Sequence, residues 1–314
     1  MTCMNPQIDA HGRLHHLLDL ATLSVAALDA LLQRAQAFAD GAQAPAALAG
    51  QAVCTLFFEP STRTRLSFQL AAQRLGAQIL NFDASTASTT KGESDLDTFR
   101  NLQAMGVRGF VIRHKADGAV AALAQAAAPG VAVVNAGDGR SHHPSQGLLD
   151  MLTLRQAKGA DFSNLKVVIV GDVKHSRVAR SDLHALRKLG CGEIRVCGPQ
   201  VLLPDAQTLH GCVVSHDFDA ALDGVDAVMM LRLQRERMVE GLVESLEAYH
   251  RDYGLTETRL RRAAADAIVM HPGPLNRGIE ITDEVADGPQ SWILRQVANG
   301  VAVRMAVLET VLGR

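Results

Sequence analysis

Cysteine is scarce and unpaired in this sequence: five residues, at positions 3, 54, 191, 197 and 212, with no C-x-x-C spacing among them. An odd count without paired spacing suits reduced thiols and excludes a disulfide framework or a cysteine zinc site as the organising device. Long apolar runs are also missing, since none approaches the ~20 residues that cross a bilayer. Residues 1–16 lack the basic-then-apolar layout of a secretory signal, so a cytoplasmic protein without membrane contact is expected. Nor is there an excess of one charge, because 31 Lys and Arg face 33 Asp and Glu, a formal net charge of −2. A nucleic-acid partner would leave a basic footprint, and none is present. Any anion site must therefore be local.

What is present is length and apolar mass. At 314 residues with 47% hydrophobic content, the chain exceeds one ordinary domain of ~150 residues and can build two cores. Short apolar runs at 53–58, 78–82, 109–112, 131–134, 167–170, 194–197, 226–231 and 267–270 alternate with helical patterns. Several, such as Val167-Val168-Ile169-Val170, are nearly uninterrupted, as parallel strands covered on both faces require. The expected fold class is α/β, with two doubly wound parallel-sheet domains. The boundary is placed near residue 150, giving domains 1–149 and 150–314, with a terminal helix at about 291–311 packing back on the first domain.

The most informative stretch is Phe57-Phe58-Glu59-Pro60-Ser61-Thr62-Arg63-Thr64-Arg65. An apolar strand gives way there to a helix, whose apolar face is read from Leu66, Phe68, Leu70, Ala71, Ala72 and Leu75. The first N–H groups of a helix have no partner within it and meet the positive end of its dipole, so an anion can settle there. Ser61, Thr62 and Thr64 add hydroxyl donors, and Arg63 can fork two N–H groups onto phosphate oxygens. An ordinary Ser cap beside solvated arginines is the competing explanation.

Other polar clusters follow the ends of expected strands. Asp83 to Glu93 reads as a long exposed loop rich in Ser and Thr. Strand 109–112 ends in Arg113-His114-Lys115, at the sheet edge where α/β proteins bind ligands. Strand 131–134 is followed by Asn135-Ala136-Gly137-Asp138-Gly139, read as a tight turn, and then by His142-His143-Pro144-Ser145-Gln146. The paired histidines have no third ligand at useful spacing, so no metal is expected. Gly171-Asp172-Val173-Lys174-His175-Ser176-Arg177 lacks the G-x-G-x-x-G fingerprint, which disfavours a dinucleotide. Arg232-Leu233-Gln234-Arg235-Glu236-Arg237 and His271-Pro272-Gly273-Pro274 complete the set.

Together these stretches resemble the transcarbamoylase family, from about residue 15 to the end of the chain, and within it the aspartate branch. The ornithine branch carries a Cys-Leu-Pro loop where this sequence has His271-Pro272-Gly273-Pro274. Charge agrees with that choice, because a dicarboxylic amine suits arginine and lysine, whereas ornithine would meet acidic groups. The resemblance implies transfer of a carbamoyl group from carbamoyl phosphate to L-aspartate, the second step of de novo UMP synthesis, with no cofactor. It implies that Ser61, Thr62, Arg63, Thr64 and Arg113 hold carbamoyl phosphate, and that Thr64, Arg113 and His143 polarise its carbonyl. Gln146 and the backbone carbonyls of Gly273 and Pro274 would grip the carbamoyl NH₂. Lys91, Arg177, Arg232 and Gln234 would take aspartate, with Ser88 and Lys91 arriving from a neighbouring subunit of a homotrimer. Assembly with regulatory or dihydroorotase-like subunits is compatible with it. A transcarbamoylase for another amine, a catalytically silent scaffold subunit and a nucleotide-dependent oxidoreductase are the alternatives.

Overall fold

The computed structural model describes residues 5–83, 92–233 and 244–313. The chain folds as two compact units, one formed by residues up to Leu152 together with those from Ala298 onward, the other by Thr153–Val297.

The first unit contains α1 (Val25–Ala39), β1 (Ala52–Phe57), α2 (Thr62–Arg74), β2 (Gln78–Asp83), α3 (Asp95–Ala104), β3 (Gly109–His114), α4 (Ala119–Gln125), β4 (Ala132–Asp138) and, as far as Leu152, α5 (Pro144–Lys158). Its four strands are all parallel, in the order β2-β1-β3-β4. β1, β3 and β4 are buried almost throughout, which is why they begin as continuous apolar runs. Leu56, Phe99, Phe110, Ile112 and Val133 meet in one cluster.

The second unit contains β5 (Lys166–Val170), α6 (Arg177–Lys188), β6 (Glu193–Cys197), β7 (Val213–Ser215), α7 (Phe218–Leu222), β8 (Ala227–Met230), α8 (Leu246–Tyr253), α9 (Glu257–Leu260), β9 (Ile268–Met270) and α10 (Asp283–Ala286). Five parallel strands follow the order β7-β6-β5-β8-β9. Consecutive strands lie on both sides of β5, the doubly wound pattern that places a crevice at the carboxyl edge. The chain ends in α11 (Ile293–Leu312), whose residues from Ala298 belong to the first unit. There Gln51 donates through Nε2 to the carbonyl of Leu312 at 2.8 Å, and Arg34 makes a two-point ion pair with Glu309. Gly109 is a position of close approach, since a Cβ there would lie 2.6 Å from Leu312 Cδ1.

Two expectations need correction, and one strand was missed. Leu66 and Leu70, assigned to the buried face of α2, are 57% and 39% exposed, and the face that packs inward is Thr64, Phe68, Ala71 and Ala72. The helix carries two apolar stripes, and periodicity alone does not choose between them. The expected turn at 135–139 is strand as far as Asp138, because the Asn135 side chain is satisfied on both sides: its Oδ1 accepts from the nearby Gly137 N–H and its Nδ2 donates to the distant Leu18 carbonyl. Polar residues so bonded are compatible with a buried strand. The edge strand β7, three residues long and largely exposed, was not expected, because Cys212-Val213-Val214 is too short an apolar run to mark a strand.

Candidate active site

In the first unit the Ser-Thr-Arg-Thr run opens α2 directly after β1. Ser61 occupies the cap position with extended backbone, φ −162° and ψ 105°, yet its side chain makes no cap hydrogen bond. The ordinary-cap explanation therefore fails for its hydroxyl. No acidic residue sits in the first turn, so the positive end of the dipole is not neutralised from within the helix. The two arginines separate by burial and packing. Arg63 and Thr62 are exposed at the helix start, whereas the Arg65 guanidinium lies 5.1 Å from the Phe57 ring centroid, where it packs as an amphipathic cover. Thr64 is buried.

Arg113 is the penultimate residue of β3, and the sheet register pairs it with Phe57. Its guanidinium, only 11% exposed, donates through Nη2 to Glu59 Oε1 at 2.7 Å and through Nη1 to the Ala136 carbonyl at 3.2 Å. The Phe58 N–H donates to the Arg113 carbonyl at 2.9 Å. One side chain thus links the loop after β1, the end of β3 and the end of β4. His114 belongs to the framework instead: Nδ1 accepts from the Ala116 N–H at 3.0 Å, and Nε2 lies 3.1 Å from Asp95 Oδ2.

His143 stands immediately before α5, and Pro144 is its first residue, where a missing N–H costs nothing. His143 and Gln146 are both buried, and Gln146 Nε2 donates to the Asp150 carboxylate at 3.0 and 3.3 Å. The first unit therefore brings Ser61, Thr62, Arg63, Thr64, Arg113, His143 and Gln146 to the carboxyl ends of three strands, two of them neighbours at the sheet centre. Hydroxyls, a helix start and two guanidiniums at one edge can bind a small anion, and an imidazole and an amide there can address a carbonyl and an NH₂.

In the second unit Arg177 is the first residue of α6, reached through a turn that begins at Gly171. That glycine has φ 120°, and a Cβ on it would lie 2.9 Å from the Tyr249 hydroxyl. Asp172 Oδ1 accepts from the His175 N–H at 3.2 Å and lies 2.8 Å from its Nδ1, while Ser176 Oγ caps the helix through the Ala179 N–H. Arg232 is exposed just beyond β8, and Gly273 and Pro274 follow β9 across a cis peptide bond. These three groups sit after β5, β8 and β9, which are adjacent in the sheet. Ser88, Lys91 and Gln234 lie outside the described residues. Among the described residues no cluster of His, Cys, Asp and Glu could hold a metal ion, and no helix is long and apolar enough to cross a membrane.

The carboxylates behind these groups, Glu59 partly exposed and Asp150 and Glu280 buried, had no signal in the sequence. Glu59, Asp150 and Glu280 each become functional neighbours only through tertiary folding. Cys54 is framework: it is buried in β1, and burial pushes its thiol up to about 12.

Residues 15–156 match the carbamoyl-P binding domain, and residues 163–311 the Asp/Orn binding domain, of the aspartate/ornithine carbamoyltransferases. A protein of Stenotrophomonas maltophilia (strain K279a) named aspartate carbamoyltransferase catalytic subunit is 74% identical over 312 residues, 98% of this chain and 99% of its own length. Aspartate transcarbamoylase from Trypanosoma cruzi, solved in complex with carbamoyl phosphate and aspartate, is 30% identical, with a TM-score of 0.82 over 95% of this chain and 97% of its own. Ornithine carbamoyltransferase from Thermus thermophilus superposes with a TM-score of 0.85 at 28% identity, over 95% of this chain and 99% of its own. Two matched domains in the expected order, over nearly the whole chain, place it in the aspartate/ornithine carbamoyltransferase family.

Proposed function

We propose that the chain transfers the carbamoyl group of carbamoyl phosphate to the α-amine of L-aspartate, giving N-carbamoyl-L-aspartate and phosphate. The observation that carries this reading is the 74% identity over 98% of the chain to a protein named for that activity. The T. cruzi enzyme, solved with both substrates, adds a structural relative that binds them. The reaction is the second step of de novo UMP synthesis, and a cytoplasmic location suits it.

In this reading Ser61, Thr62, Arg63 and Thr64 hold the phosphate at the start of α2, with Arg113 reaching from it toward the carbonyl. Thr64, Arg113 and His143 face the carbonyl oxygen, and Gln146 with the carbonyls of Gly273 and Pro274 holds the carbamoyl NH₂. Arg177, Arg232, Gln234 and Lys91 take the two carboxylates of aspartate. The neutral α-amine attacks the carbamoyl carbon, and the negative charge on the tetrahedral oxygen meets donors already in place. The C–O bond to phosphate then breaks, and a phosphate oxygen accepts the amine proton. Loss of one such donor costs on the order of 10²- to 10³-fold in rate.

A homotrimer, with Ser88 and Lys91 supplied by the neighbouring subunit, completes the site in this reading. Leu66 and Leu70 of α2 and Leu80 of the edge strand β2 are all well exposed in the single chain, which supports burial against another copy. The particle mass of the purified chain distinguishes monomer, trimer and larger assemblies with regulatory or dihydroorotase-like subunits. The activity is tested by supplying carbamoyl phosphate with aspartate or with ornithine. Carbamoyl-aspartate should form, Arg63→Ala should reduce it by roughly 10²-fold or more, and turnover of ornithine alone would refute the assignment.

A further inference from the structure

The turn after β9 is fixed from behind by one carboxylate. Glu280 is fully buried, and its Oε1 accepts from the Asn276 N–H at 2.6 Å. The same oxygen lies 3.2 Å from His271 Nε2. The tautomer of that ring follows from its other side: the Gly273 N–H donates to His271 Nδ1 at 2.8 Å, so Nδ1 carries no proton and Nε2 donates to Glu280. The His271 N–H in turn donates to Gln296 Oε1 at 2.8 Å, tying the turn to α11.

The same residues reach a second loop. Asn276, whose backbone is held by Glu280, donates through its side-chain Nδ2 to the Leu233 carbonyl at 2.8 Å. Leu233 is buried and directly follows Arg232. One carboxylate oxygen therefore holds the backbone of the 271–277 turn at two points, through His271 and directly at Asn276, and through Asn276 it reaches the segment that carries Arg232.

We propose that Glu280 is a positioning residue for the carbamoyl transfer: it sets the Gly273–Pro274 carbonyls and the Arg232 segment in mutual register without touching substrate. The inference rests on the reading of Gly273, Pro274 and Arg232 as substrate-binding groups. Burying a carboxylate is costly, and the cost is tolerated where donors are arranged to meet it. Both donors converge on a single oxygen, so the role is that of an acceptor at one fixed point rather than of a charge.

The test uses the full chain with Glu280→Leu, Glu280→Gln and Asn276→Ala, assayed with carbamoyl phosphate and aspartate, together with calorimetric binding of inorganic phosphate. Glu280→Leu should raise KM for aspartate by roughly tenfold or more and lower kcat, while phosphate binding, which belongs to the first unit, stays within about twofold. Glu280→Gln should restore both constants to within roughly threefold, because an amide oxygen can take the two donors. Asn276 is half-buried, so its alanine variant should fold and should raise KM for aspartate while leaving phosphate binding unchanged. Wild-type kinetics in Glu280→Leu and Asn276→Ala, or equal damage in Glu280→Gln and Glu280→Leu, would overturn the proposal. A wild-type chain that turns over neither substrate would instead remove the functional reading beneath it.

Discussion

Arg113 donates to Glu59 across 2.7 Å, so a guanidinium assigned to an incoming anion is already engaged by an anion of the chain. An arriving phosphate must compete with that carboxylate, which is itself 30% exposed and partly screened by solvent. Glu59→Gln should therefore bind inorganic phosphate several-fold more tightly, as calorimetry would register. Weaker binding would mean that Glu59 serves to aim Arg113 rather than to occupy it.

Behind Gln146 the first unit buries a second pair of opposite charges. Asp150 is fully buried, and Arg304 of α11 lies 5.0 Å from the centroid of the Phe68 ring, nearly as buried. Burial pulls the Arg304 guanidinium down to about 10, with the Asp150 charge acting in the opposite direction. Arg304→Met strips Asp150 of that opposing charge and should cost about 3–5 kcal/mol. The double variant with Asp150→Asn should cost clearly less than the sum of the singles, by ~1 kcal/mol or more. Denaturant unfolding of all four proteins measures the difference, and strict additivity would show that the two charges do not communicate.

Acid sensitivity should trace to His16. Its Nδ1 accepts from the Val133 N–H at 2.9 Å, and burial, with a smaller contribution from the neighbouring His15, lowers its pKa from 6.5 to about 4. The folded value lies below the unfolded one, so the unfolded chain binds a proton first as the pH falls. The stabilisation is complete above pH 6.5 and is lost progressively toward pH 4, at a cost of about 3 kcal/mol. His16→Asn should flatten the dependence of unfolding free energy on pH across that window. An unchanged slope would assign the effect elsewhere.

Much of this architecture could be read from the residues alone, and the failures have physical causes. β1, β3, β5 and β8 announced themselves because strands covered on both faces must be apolar throughout. Ser61 to Thr64 stood out because hydroxyls and a guanidinium at a strand-to-helix transition are informative without knowledge of the rest. The end of β4 misled because Asn135 and Asp138 are polar, and their burial depends on hydrogen bonds made by distant segments. Leu66 and Leu70 misled because a helix with two apolar stripes gives no sign of which one another surface will cover. Glu280 was invisible, since a lone acid in Asn276-Arg277-Gly278-Ile279-Glu280 reads as a solvated loop until His271 is folded against it.

A further prediction concerns Gly109, where an added Cβ would meet Leu312 Cδ1 at 2.6 Å and Val53 Cγ2 at 3.1 Å. Gly109→Ala should destabilise the chain by about 1–3 kcal/mol through overpacking. Leu312→Ala removes the nearer obstacle, so the double variant should recover part of that loss. Thermal unfolding of the three variants would show it, and purely additive losses would place the strain at Val53.

The contact between Gly109 and Leu312 also bears on how the chain matures during translation. A nascent polypeptide leaving the ribosome has all four strands of its first sheet long before it has the helical turns that cover them. Until those turns emerge, Gly109 lacks the cover that Leu312 gives it. Full cover of the start of β3 therefore needs residues that are synthesised only after the whole of the second unit.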